Sequence, residues 1–165
     1  MATGHITEAM RSVIGTEFAS STSFPVAESD IRRWAMAVHY PEPPPARYWD
    51  TSDGHTLTAP PDFNPFAWMT TAGPDPQPGI YDPDKNFKKL GVEGAGLTRQ
   101  VNGGIEVEYG VPIRAGDVVH SSSNISALTE REGKLGLMLF TTTETIWTNQ
   151  DGDEVRRTKM TIIRY

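Results

Sequence analysis

An α+β fold, with an antiparallel sheet curved around one central helix, is what this sequence predicts, and three observations carry it. The second half of the 165-residue chain alternates apolar and polar residues over long runs. The first half holds an amphipathic helical pattern. Between them Ala59 to Met69 (Ala-Pro-Pro-Asp-Phe-Asn-Pro-Phe-Ala-Trp-Met) gathers Phe63, Phe66, Trp68 and Met69 into one short stretch. That apolar bulk predicts a short buried helix, opened by Pro60 or Pro61 in its first turn and restarted or kinked at Pro65.

Taken in order, Ile6, Met10 and Val13 have helical spacing over Thr7 to Ile14, and Gly15 is placed to end that helix. Ser29 then offers an N-cap, after which Ile31, Trp34, Ala35 and Val38 fall at i, i+3, i+4 and i+7, the stripe of a helix with one buried face. Pro41, Pro43, Pro44 and Pro45 stop it and favour extended backbone. The polar run Asp50 to His55 reads as a loop into the central element, and Gly73 to Asp84, with Pro74, Pro76, Pro78 and Pro83, as a second exposed loop.

Ile105, Val107, Tyr109, Val111 and Ile113 alternate with Glu106, Glu108, Gly110 and Pro112, the period of a strand with one buried face. Pro112 assigns it to a sheet edge or a strand end. Arg114 to Asp117 turns the chain into a strand from Val118 to Thr129, and Leu135 to Thr148 forms the next. Asn149-Gln150-Asp151-Gly152 is a hairpin turn leading to a last strand, Val155 to Tyr165.

The whole chain, 1–165, reads as one domain, with 1–15 as an N-terminal extension. A net charge of -6 and a pI near 5.2 exclude the basic face that nucleic acid or an anionic membrane surface requires. No run approaches a membrane span, and no signal pattern opens the chain. The absence of cysteine removes disulfide and thiolate chemistry and points to the cytoplasm. His55 and His120 lack partners at ligand spacing, so no metal is expected.

Three segments carry a family resemblance: Trp34-Ala35-Met36-Ala37-Val38 before the proline run, Ala59-Pro60-Pro61-Asp62-Phe63, and Tyr109-Gly-Val-Pro-Ile-Arg-Ala-Gly-Asp117. Together they resemble the N-terminal dehydratase domain of the MaoC-like (R)-specific enoyl-CoA hydratases, which have the hot-dog fold. The resemblance spans roughly Gly15 to Tyr165. It implies reversible addition of water to a 2-enoyl thioester, with coenzyme A thioester as substrate and no further cofactor. An aspartate and a histidine on one loop would handle the water and the α proton, while backbone N–H groups polarise the carbonyl.

That family loop has the pattern Asp, any residue, Asn, Pro, apolar, His. Here the matching segment is Tyr40-Pro41-Glu42-Pro43-Pro44-Pro45, so Tyr40 replaces the aspartate, Glu42 the asparagine and Pro45 the histidine. A chain lacking the acid–base pair resembles the member of a paired assembly that shapes the acyl pocket, here for bulky acyl groups, while a catalytic MaoC-like subunit supplies the chemistry. Tyr40, Phe63, Asn64, Phe66 and Trp68 are then the candidates for binding the acyl group. Lys85, Lys88 and Lys89, with Arg99 nearby in sequence, are the candidates for the coenzyme A phosphates.

Three alternatives stand beside this reading. His39 and Glu42 form a base and carboxylate that would let the chain act alone as a hydratase, although a histidine at a helix C-terminus also serves as a simple cap. The chain is otherwise an acyl-CoA-binding module without catalysis, or a hot-dog thioesterase using Asp62. The family habit of pairing and an exposed edge strand predict a homodimer or a heteromer.

Overall fold

The computed structural model describes residues 4–67, 69 and 82–165. Its elements are α1 (Glu8–Ser12), β1 (Glu17–Thr22), α2 (Glu28–His39), a 3-10 turn at Ala46–Tyr48, α3 (Lys85–Lys89), β2 (Gln100–Tyr109), β3 (His120–Gly133), β4 (Gly136–Thr148) and β5 (Glu154–Arg164). The strands form one antiparallel sheet in the order β1-β3-β4-β5-β2, with β1 and β2 at its edges.

The turns between strands follow from their residues. Asn149 Oδ1 accepts the N–H groups of Asp151 and Asp153, and Gly152 takes φ +85°, closing the predicted hairpin between β4 and β5. Asp117 Oδ2 accepts the Arg114 N–H at 2.7 Å, and Gly116 takes φ +92°, making the turn that launches β3. β2 stops at Tyr109, before Pro112, short of the predicted Ile113. Helix α2 begins at Glu28 with Ala27 at its cap, not Ser29; Glu28 and Asp30 face the positive helix end instead.

The central helix expected over Ala59 to Met69 is absent from the described part of that stretch, which is a succession of turns. Its prolines cannot donate to a helical ladder, and Asn64 Oδ1 captures the Phe66 N–H at 3.0 Å, offering the backbone a competing local bond. The Phe63 N–H bonds the Pro60 carbonyl at 2.9 Å, a tight turn that still buries Phe63 completely. Among the described residues the longest helix is α2, which packs Ile31 against Val119 and Val155 of the sheet side.

Two clusters cover opposite ends of the inner face of the sheet. At the β4–β5 turn, Ile31, Leu57, Phe63, Val119 and Val155 pack with Trp34, Phe66 and Trp147. At the β3–β4 turn, Met10, Phe87, Ile125, Leu128 and Leu139 pack together. Met10 of α1 is part of this core, and the His5 ring bonds the Leu137 carbonyl at 2.9 Å. Between the clusters, Thr141, Thr143 and Thr145 alternate along β4 on the inner face, as residues two apart on a strand must. The Ser123 and Thr145 hydroxyls meet there at 2.8 Å.

Candidate functional site

The alternative in which this chain acts alone rests on His39 and Glu42, at and just after the end of α2. His39 ends α2 with Nδ1 donating to the Ala35 carbonyl at 2.9 Å and its ring against Tyr48, the arrangement of a cap. Glu42 is exposed, its backbone N–H bonded to the His39 carbonyl, and Tyr40 is 84% exposed beside a cis bond to Pro41. Tyr40, Glu42, Met36, Trp49 and the prolines line an open groove of about 510 Å³ on the outer side of α2.

The aromatic residues of the Pro60 segment take different places. Phe63 is core, edge-on to Trp34 at 5.7 Å, and Phe66 stands edge-on to Trp147 at 5.2 Å. Asn64 is half-buried, while Trp68 lies outside the described residues. Asn64, Asp62 and Trp34 meet Thr145, Trp147, Arg156 and Thr158 around an open cavity of about 490 Å³ on the inner face. One wall is the α2 and Pro60 segments, and the other is the ends of β4 and β5.

Arg156 was not singled out in the sequence, and its position has a local cause. Trp147 pairs with Arg156 but Thr148 pairs with Glu154, so Val155 is an extra residue in β5. This bulge lets Val155 enter the core while the next residue, Arg156, reaches the cavity. Its guanidinium sits over the Trp147 ring at 5.0 Å and the Tyr109 ring at 5.8 Å, a sandwich that fixes the cation. The Tyr109 hydroxyl donates to Asp62, and this bond to the carboxylate holds the phenol above its usual pKa. Asp62, the thioesterase candidate, is thereby engaged at the cavity rim.

The lysines of α3 differ in their contacts. Lys88 Nζ pairs with Asp82 at 2.8 Å, an ion pair that lowers the Asp82 carboxyl and raises the Lys88 ammonium. Lys89 reaches over the Phe18 ring at 5.9 Å, and Lys85 is exposed. Among the described residues the histidine in an ion pair with a carboxylate is His55, with Asp53, on an exposed loop. No helix there is long and apolar enough to cross a membrane.

Residues 12–158 match the model of the FAS1-like dehydratase domain region. Among solved structures, a chain of the ChsH1–ChsH2 complex from Mycobacterium tuberculosis is similar with a TM-score of 0.63 and 19% identity, over 96% of this chain and 89% of that one. The unliganded R-hydratase PhaJ1 from Pseudomonas aeruginosa is similar at 0.52 and 15%, over 92% and 81%. A MaoC-like dehydratase from Rhodospirillum rubrum is similar at 0.50 and 17%, over 89% and 90%. These likenesses give the hot-dog fold. No curated protein matches the chain.

Proposed function

This chain belongs to the FAS1-like dehydratase-domain family of MaoC-like hot-dog proteins, and from that membership we propose that it is the pocket-forming subunit of a 2-enoyl-CoA hydratase or 3-hydroxyacyl-CoA dehydratase. A second MaoC-like subunit supplies the catalytic aspartate and histidine. The observation that carries this reading is the loop after α2: Tyr40, Glu42 and Pro45 occupy the family's polar positions, and the nearby His39 spends Nδ1 on a backbone carbonyl. General acid–base catalysis needs both groups within hydrogen-bond reach of one water.

In this role the inner-face cavity receives the acyl group, with Asn64 at its wall, Phe66 packed behind Trp147 and Phe63 holding the wall in place. Tyr40 belongs to the outer groove, where it would meet the partner subunit. Lys85 and Lys89, which have no ion pair among the described residues, are the cations left for the coenzyme A phosphates. Assembly with a partner is supported by the edge strand β2, whose Val101, Ile105 and Tyr109 are about half exposed. One similar structure is itself drawn from a complex of two differently named chains.

The test is loss of enoyl-thioester absorbance when the purified chain is given crotonyl-CoA or a longer 2-enoyl-CoA, alone and with a MaoC-like chain that retains the Asp and His. Acyl-CoA binding without turnover alone, and turnover on mixing, is the expected result. Turnover by the chain alone that vanishes in His39→Ala or Glu42→Gln would sink the proposal.

A further inference from the structure

The cavity is richer in donors than an acyl tunnel needs. Among the described residues, two buried side-chain polar atoms find no hydrogen-bond partner, Trp34 Nε1 and Arg156 Nε, and both residues line this one cavity. They come from different elements, α2 and β5, and share no protein acceptor. A buried donor left unpaired is destabilising, and such groups are rare enough that each calls for an explanation.

Arg156 strengthens the point. It forms no ion pair among the described residues, whereas the other arginine of the inner face, Arg164, is matched to Asp84. The one carboxylate in the cavity wall, Asp62, is occupied by the Tyr109 hydroxyl. The guanidinium is instead held between the Trp147 and Tyr109 rings, which offer their faces but no oxygen. The surrounding surface is aromatic and threonine-rich, suited to an apolar body carrying a polar tip.

We infer that the cavity binds an acyl group bearing an oxygen acceptor, a carbonyl or a carboxylate, which Arg156 and the Trp34 indole engage. The substrate class is therefore oxygenated acyl thioesters rather than plain alkyl ones. This rests on the acyl-pocket reading above, but the pocket is tested without coenzyme A.

The experiment follows the Trp34 indole N–H resonance of the ¹⁵N-labelled full chain, identified by its loss in Trp34→Phe, during titration with acetophenone, benzoate and ethylbenzene. These probes share a size and differ in the acceptor. Acetophenone or benzoate should shift the resonance saturably with an affinity at least about tenfold above that of ethylbenzene, a difference of about 1.4 kcal/mol. Arg156→Met should abolish that preference while keeping the far-ultraviolet spectrum and the ethylbenzene response. Stronger binding of benzoate assigns a carboxylate, and parity with acetophenone assigns a carbonyl. Equal shifts with all three probes, or none with any, overturn the inference. Failure of 2-enoyl-CoA to bind a protein that retains the acetophenone preference would sink the acyl-CoA reading and leave the acceptor site intact.

Discussion

Arg164 and Asp84 stand 80 residues apart in sequence and form the most deeply buried ion pair of the described residues, with Nη1 to Oδ1 at 2.5 Å and Arg164 2% exposed. The same Nη1 bonds the Pro83 carbonyl at 3.1 Å, and Asp84 Oδ2 accepts the Gly96 N–H at 2.8 Å. Each charge thus has the extra hydrogen bonds that burial demands, and the pair fastens the start of α3 to the end of β5.

Removing one partner would strand the other in a low-dielectric site. Asp84→Ala and Arg164→Met should each lower unfolding free energy by about 3–5 kcal/mol in denaturant titration. The double variant should cost less than the sum of the two, because neither charge is then left alone.

Phe63 fills the joint between α2 and the sheet. Phe63→Ala should cost about 3–5 kcal/mol of stability and change the fluorescence of Trp34, whose ring loses its edge-on neighbour. Phe66→Ala, at a half-buried ring, should cost less.

Gly110 is fixed by contact, since a Cβ there would lie 2.0 Å from the Glu154 carbonyl oxygen. Gly110→Ala should push the end of β2 off β5, costing about 1–3 kcal/mol and raising amide exchange at Val111, whose N–H bonds that carbonyl at 2.9 Å.

The Asp53–His55 contact titrates at both ends. Hydrogen bonding to Asp53 raises the His55 pKa, so this part of the stability is present below the ordinary histidine value and is lost as pH rises through the folded one. The same bond lowers Asp53, whose part is present above its ordinary value and is lost as pH falls through the folded one. The contact is therefore complete between the ordinary carboxylate and histidine values, about 3.9 and 6.5. In an NMR titration, Asp53→Asn should move the His55 midpoint downward, because the largest cause of its rise is removed.

The sheet was legible because its signals are local: alternation in Ile105 to Tyr109, and the turn chemistry of Arg114 to Asp117 and Asn149 to Gly152. The helix predicted over Ala59 to Met69 failed because apolar bulk reports burial and not backbone geometry. Phe63 is as buried as predicted, yet the prolines and the Asn64 side chain bond the backbone into turns. Arg156 was missed because its place depends on a bulge at Val155 that no alternation pattern announces. Unbulged pairing across the Asn149–Gly152 turn sets Glu154 opposite Trp147, so the turn chemistry alone gives no sign of Arg156 there.

The stripe of Thr141, Thr143 and Thr145 separates the two apolar clusters, which leaves the hydrogen-bonded strands β3, β4 and β5 as their main mechanical link. The molecule is thus built as two cooperative units on a common backbone lattice rather than as one. Loosening one end, as by truncating Phe87 or Met10, releases that end's amides to exchange first, while the amides around Ile31 and Phe63 at the opposite end keep their protection until the sheet itself gives way.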